Sequence, residues 1–353
     1  MYKSVCFVLG CSVWLLATMG LVIADELSVA VDEVAAFATA KKIASLENKK
    51  ITESSGICAS RQNPGIYWTH NDSGSGPYLF AFNEKGQDMG TLHLATPAQD
   101  FEDIAAATIR GKNYILVGNT GANGHQSGTG WVDFYLLEEP VVDASNAKTM
   151  RSIARDNIRT LTFRWPGNKQ FNCEAVALGS DGVIYIATKG WPTVFFIFRA
   201  AALTGDSADS IKRILAFPRA KLLLCVTGMD ISKDGRSLLF IYDPYAHGMC
   251  AEFTLPGRSG SWATVPYSDW IKKEYGCIGL GAPQAEGVCY SRDGKFILAT
   301  SECGKNRTAR NAGIFMPGGH TPLYKVARRP AATTVHGASA VAAPEPETEP
   351  VTE

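Results

Sequence analysis

An imbalance of charge is the first thing this sequence lacks. Lys+Arg and Asp+Glu both number 34 in 353 residues, for a formal net charge of zero. A general nucleic-acid binder needs a basic surface to displace counterions, and a polybasic membrane-surface protein needs one to meet anionic lipid; both classes are excluded. Charged residues are also few, at 19% against the usual roughly 25%, while hydrophobic residues reach 46%. Such a chain is not globally disordered and has the means to bury a large core. The common motifs of metal and nucleophile chemistry are missing as well. There is no Cys-x-x-Cys, no His-Glu-x-x-His and no Gly-x-Ser-x-Gly, which excludes the familiar zinc sites and the serine-hydrolase elbow. The stretch Gly118–Gly130 is rich in glycine but lacks Gly-Lys-Ser/Thr, so it is no phosphate-cradling P-loop.

What is present first is an address. Lys3 precedes an apolar run from Val5 to Ala24, and Val22-Ile23-Ala24 before Asp25 offers the small residues that a signal peptidase requires. The expectation is a signal peptide over residues 1–24 and an extracytoplasmic protein: periplasmic, at the cell surface or secreted. An uncleaved anchor stays open, since the run is long enough to span. No later stretch is, so no membrane span is expected after cleavage. Past residue 24, seven cysteines remain. An oxidising compartment permits disulfides, but an odd number leaves at least one thiol free. Cys250–Cys277 and Cys289–Cys303 are candidate bridges; most of the others read as small core residues. Residues 25–50 read as a lead-in, and residues 327–353, dominated by Ala, Pro, Thr and Glu, as a disordered tail.

Between them lies a repeat. Ser54–Cys58, Phe101–Ala105, Cys173–Ala177, Thr227–Ile231 and Ala285–Cys289 resemble one another. Each is followed by a turn and then by a β-branched or aromatic run: Ile66–His70, Tyr114–Val117, Val183–Thr188, Leu238–Tyr242 and Phe296–Thr300. Asp-Gly stands in the turn at Asp181-Gly182, Asp234-Gly235 and Asp293-Gly294, which predicts hairpins with both turn residues at positive φ. Aligned on these turns, Ser55, Glu102, Glu174, Thr227 and Glu286 fall in one column, spaced by 47, 72, 53 and 59 residues. Units of this length with about four strands each are the signature of propeller blades. One four-stranded sheet cannot bury both faces; a ring of them can, and it protects the edges. The fold expected is all-β: a β-propeller of four-stranded antiparallel blades over residues 51–326, with five blades. Six stay open, because the long second unit has room for a degenerate one. A strand from Lys41–Leu46 would complete the last blade and lock the ring.

The segments Trp68–Gly74 (WTHNDSG), Asp100–Ala105 (DFEDIA) and Gly118–Asn123 (GNTGAN) carry a family likeness. They resemble the Trp-x-His-Asn-Asp-Ser-Gly, Asp-Trp/Phe-Glu-Asp and Gly-Asp-x-Gly-Asp-Asn motifs of secreted bacterial β-propellers of the phytase-like and SdiA-regulated type. The resemblance runs from about Ser54 to Val326. It implies a propeller fold and, for the phytase-like members, a metal-assisted phosphoester or ester hydrolase. The sequence departs from the pattern at Asn119 and Ala122, where the loop usually carries aspartates.

Chemistry is expected at one end of the channel, where first strands begin and second strands end. Glu102, Asp103, Glu174 and Glu286 are candidate metal ligands, since converging carboxylates suit a hard cation such as Ca²⁺. His70, Asn71, Asp72, Asn119, Asn123, Lys189, Asp243 and Glu302 are candidate ligand-binding residues. The alternative use of the glutamates is structural, as acceptors for backbone N–H groups between blades. The function expected is a binding or scaffold module, monomeric, with a small molecule, glycan or protein at the channel mouth and Ca²⁺ as its cation. The rival is the hydrolase, with Glu102, Glu174 or Glu286 as base. Trp131, Trp165, Trp191, Trp262 and Trp270 are either stacking surfaces or core.

Overall fold

The structure, a computed structural model, describes residues 40–98, 100–121, 130–190, 193–214, 225–242, 248–254, 261–264, 275–282, 284–302 and 321–328. The expected signal segment, and Asn123, Asp243, Trp191, Trp270 and Cys303, lie outside the described residues, as does the expected tail beyond Arg328; its first two residues, Ala327 and Arg328, are instead ordered, Ala327 ending the last strand and Arg328 hydrogen-bonded beside it.

Five sheets form a five-bladed β-propeller. Blade 1 holds β2 (Ser54–Ala59), β3 (Ile66–Asn71), β4 (Tyr78–Asn83) and β5 (Asp88–Leu94). Blade 2 holds β6 (Phe101–Ile109), β7 (Lys112–Asn119), β8 (Trp131–Glu138) and β10 (Ile158–Arg164). Blade 3 holds β11 (Cys173–Leu178), β12 (Val183–Thr188), β13 (Phe195–Arg199) and β14 (Ser210–Ile214). Blade 4 holds β15 (Gly228–Ile231), β16 (Ser237–Tyr242), β17 (Met249–Thr254) and β18 (Tyr275–Gly279). Blade 5 holds β19 (Ala285–Tyr290), β20 (Phe296–Ser301) and β21 (Pro322–Ala327), and its outer strand is β1 (Lys41–Ser45), paired antiparallel with β21. The N-terminal strand thus closes the ring. The first strands β2, β6, β11, β15 and β19 pack in succession around the axis.

The long second unit hides no sixth blade. Its insert supplies β9 (Met150–Ile153), which crosses to blade 1 and pairs in parallel with β5, Thr91 opposite Met150. The outer edge of blade 1 is thereby covered, which removes a template for edge-to-edge association.

The composition of the strands follows from the packing. An inner strand has a neighbouring blade on each face, so its apolar run is continuous where a half-exposed strand would alternate. β12, VIYIAT, is buried along its whole length. Its Val183, Tyr185 and Ala187 face blade 4, while Ile184 and Ile186 face blade 2. There are five such apolar layers, one between each pair of blades. Between blades 2 and 3, Phe134, Phe163, Trp165, Phe196 and Phe198 meet mostly edge to face. Trp165 and Trp262 are core residues, whereas Trp131 is exposed, with Arg164 over its ring.

Two expectations need correction. The Asp-Gly hairpins are wider than two-residue turns, because only the glycines, Gly182, Gly235 and Gly294, take positive φ. Asp234 and Asp293 instead accept the N–H two residues on, and each turn closes further out, as Ser232 N–H to Ser237 O does. The second concerns disulfides. Cys289 carries a free, buried thiol, and the ladder sets Ala251, not Cys250, opposite Cys277.

Candidate functional site

The column of aligned residues marks a repeated irregularity of the backbone. Pairing of first and second strands shifts register between Ser54 and Gly56, Phe101 and Asp103, Cys173 and Ala175, and Ala285 and Gly287. The residue skipped each time is Ser55, Glu102, Glu174 or Glu286. A bulge of this kind re-aims one side chain without ending the strand. The propeller repeats that device at one end of its channel, and in three blades the re-aimed side chain is a glutamate.

A second ring surrounds the first. Two residues before each bulge stand Glu53, Asp100, Asn172 and Gln284, each of which accepts a backbone N–H at its carbonyl. The donors are Asp72, Gly121, Lys189 and Glu302, at 2.9, 3.4, 3.0 and 2.9 Å. The ends of second strands are therefore clipped to the starts of first strands, and the clip residues form the rim.

On one side of the rim, Asp72, Asp100 and Glu102 bring carboxylate oxygens within 4.8 Å of one another. Glu102 is only 2% exposed, and its Oε1 has no hydrogen-bond partner among the described residues. Gly121 shows how closely the oxygens converge: a Cβ there would lie 2.0 Å from Glu102 Oε1 and 2.1 Å from Asp100 Oδ2. Glycine leaves that space open. Asn119 holds the arrangement from below, its Oδ1 accepting the Asp100 N–H at 2.9 Å. The asparagine therefore serves as a neutral acceptor for the Asp100 backbone.

On the other side, Lys189 Nζ contacts Glu174 Oε2 and lies 3.7 Å from Glu286 Oε1. Asn172 Nδ2 donates to Glu174 Oε1 at 2.9 Å. The Glu286 carboxyl lies close enough to Glu302 to act on its protonation. Burial pushes Glu102 and Glu286 well above the usual carboxylate range, helped by Glu174 and Asp72 for the former and by Glu302 for the latter. Burial also raises Glu174, against the pull of Lys189, and raises Glu302 to about 7, with Asp72 and Glu53 adding to it. The mouth is a set of buried carboxylates that repel one another and face one lysine.

The remaining expected residues sit elsewhere or serve the backbone. His70 is fully buried, edge-on to Phe101, with Nδ1 against Asn71 O; burial lowers it to about 4, so the ring is neutral. Asn71 accepts the N–H groups of Thr52 and Glu53 and donates to Lys50 O. Asp103 is a strut. Its Oδ2 accepts Val176 N–H of blade 3 at 2.8 Å and Met229 N–H of blade 4 at 3.1 Å, and Oδ1 accepts Ile104 N–H at 2.8 Å. Asp230 does the same towards Tyr290 N–H of blade 5 at 2.8 Å. Of the four expected metal ligands, Glu102 alone belongs to the converging trio. Asp100 was not among the expected ligands, although the clip offset it shares with Glu53, Asn172 and Gln284 is legible in the aligned repeat.

No known family profile and no curated protein matches the sequence. Several solved structures are similar in part. Hydrazine synthase of Kuenenia stuttgartiensis is 14% identical over 71% of this chain, with a TM-score of 0.35; the alignment spans 56% of that chain. PhoX of Pseudomonas fluorescens, in complex with vanadate, is 8% identical, with a TM-score of 0.42, over 82% of this chain and 74% of that one. A gluconolactonase of Xanthomonas campestris is 10% identical, with a TM-score of 0.42, over 84% and 92%. Likeness at this level carries no argument about function, which rests on the mouth itself.

Proposed function

We propose that the protein is an exported ligand-binding propeller whose channel mouth takes a divalent cation, Ca²⁺, on Asp72, Asp100 and Glu102. The observation that carries this is the buried Glu102 Oε1, without a hydrogen-bond partner among the described residues, beside two further carboxylates in a space that glycine at 121 keeps clear. Carboxylate oxygens are hard donors and suit Ca²⁺. A bound cation would offset the repulsion that burial and neighbouring charges impose on Glu102. The test is calorimetric titration of Ca²⁺ into chelator-treated protein and into Glu102→Gln. Binding to the parent and at least about tenfold weaker binding to the variant is the expected result, given loss of a charged ligand. Equal binding by both would overturn the site.

A hydrolase is the second reading, favoured by Glu302. A carboxyl raised to about 7 by burial, with Asp72 of the trio the chief charge acting on it, could carry a proton near neutral pH. A bound cation would supply polarisation of the scissile group; Glu302 would hold or release the proton. Turnover of phosphoesters or esters that needs Ca²⁺ and falls about a hundredfold in Glu302→Gln would favour this reading over binding alone.

A further inference from the structure

Resting on the cation site proposed above, we infer that the ligand of the mouth is a neutral polyhydroxylated molecule, a sugar or polyol with a vicinal diol. Two of its hydroxyl oxygens ligate the cation, and its hydroxyl protons go to the carboxylates of Glu174, Glu286 and Glu302.

The inventory of donors and acceptors leads there. Beside the trio, the lining is made of carboxyl groups: Glu174, Glu286 and Glu302. Gln284 stands two residues before Glu286, is buried, and has an Oε1 without a hydrogen-bond partner among the described residues. The ammonium of Lys189 is already in contact with Glu174. A phosphate or carboxylate ligand brings only more acceptors and negative charge, and would face these glutamates at close quarters. An amine brings donors, but it would be placed beside both Lys189 and the cation. A hydroxyl brings a proton and two lone pairs together, without charge. It can give a lone pair to the cation and its proton to a carboxylate at once.

Coordination arithmetic agrees. Ca²⁺ takes roughly 6–8 oxygens. Three carboxylates reach the lower figure only if every one is bidentate. Asp100 and Asp72 stand on separate blades, and Asp72 Oδ1 already accepts the Ser73 N–H. Among the described residues, positions are therefore left for further oxygens, and a vicinal diol fills two of them.

The experiment is calorimetric titration of D-mannose, L-fucose, myo-inositol and mannitol into the full chain. Each is run with Ca²⁺ and with chelator, beside inorganic phosphate and putrescine. The same titrations are run on Glu302→Gln and, as a second variant outside the trio, Glu286→Gln; melting curves check that both are folded. The expected result is that at least one polyol binds, that it binds only with Ca²⁺ present, and that each variant weakens it by about tenfold while keeping Ca²⁺, as loss of a charged hydrogen bond does. Phosphate or putrescine binding in place of every polyol would overturn the inference and leave the cation site standing, as would polyol binding that ignores chelator. Failure of Ca²⁺ itself to bind would remove the site first and the inference with it.

Discussion

Asp103 offers the sharpest test of how the ring is held. It reaches from blade 2 to N–H groups of blades 3 and 4 as well as to its own strand. Two effects compete when it is changed to Asn. Removing a buried charge is favourable, because burial pushes this carboxyl well above the usual range. Against that, the three N–H groups stay buried whatever replaces the acid. Asn can leave its oxygen facing Val176 and Met229, but its amide nitrogen then faces the Ile104 N–H. One buried donor is orphaned, at about 1–3 kcal/mol, and the other two lose a charged acceptor. The three N–H groups draw the carboxyl down without overcoming burial, so the cost comes from geometry: the amide nitrogen set against a buried donor. Asp103→Asn should therefore destabilise by about 2 kcal/mol. At roughly 2–4 °C per kcal/mol for a chain of this size, the melting temperature should fall by about 4–8 °C. Asp103→Ala strands all three donors and should cost at least twice as much. Thermal melts followed by circular dichroism at neutral pH read both. If Asp103→Asn melted at or above the parent, the strut would be contributing nothing, and the carboxyl would have to be free for another task.

The carboxylates of the mouth set a pH dependence. For Glu102, Glu174, Glu286 and Glu302 the folded-state pKa lies above the unfolded one, so they favour the fold below about 4.5 and lose that contribution as pH rises; for Glu302 the window runs from 4.5 to about 7. Melts of chelated protein should show stability declining across that window, Glu302→Gln should flatten part of the slope, and Ca²⁺ should flatten more; an identical slope in all three would remove the mouth as its source. The end of β21 makes a separate prediction. Arg328 bonds Glu252, donates to Gly294 O and lies over the Tyr290 ring, while Tyr290 also donates to Glu252. Truncation after Arg328 should leave the melting temperature unchanged, whereas truncation after Val326 should lower it by several degrees, as loss of a buried charged network does; equal melts would show that this network adds nothing.

Much of the ring is legible in the sequence. Ser55, Glu102, Glu174 and Glu286 align because a bulge recurs at the same place in four of the five blades, and a recurring backbone irregularity leaves a recurring residue type. The apolar runs stand out because blades bury both faces. What the sequence conceals is which neighbour a carboxylate meets. Glu102 and Asp103 are consecutive, yet one points to the mouth and the other to backbone donors of two other blades, a distinction set by the bulge geometry. Lys189 looks like a strand-end surface residue until Glu174 and Glu286 are brought to it from other parts of the chain. The crossing of β9 to β5 is hidden for the same reason: parallel pairing between blades leaves no local pattern.

Closure by β1 has a consequence for biosynthesis. Lys41 pairs with Lys325, so the first strand of the ring waits for nearly the whole propeller to be made. At about 5–20 residues per second, that wait is on the order of tens of seconds. Throughout it, a strand that will end as a blade edge is a lone segment with no partner. Its sequence, KKIAS, is suited to waiting: two lysines lead it, it is five residues long, and its burial in the finished ring is slight. Charge and shortness are what keep an unpaired strand from joining the wrong sheet. A nascent chain that stops before Pro322 never receives the strand that joins β20 to β1. It is left with an open blade at one end and an orphan strand at the other, and so exposes to proteolysis and self-association the two edges that the finished ring conceals.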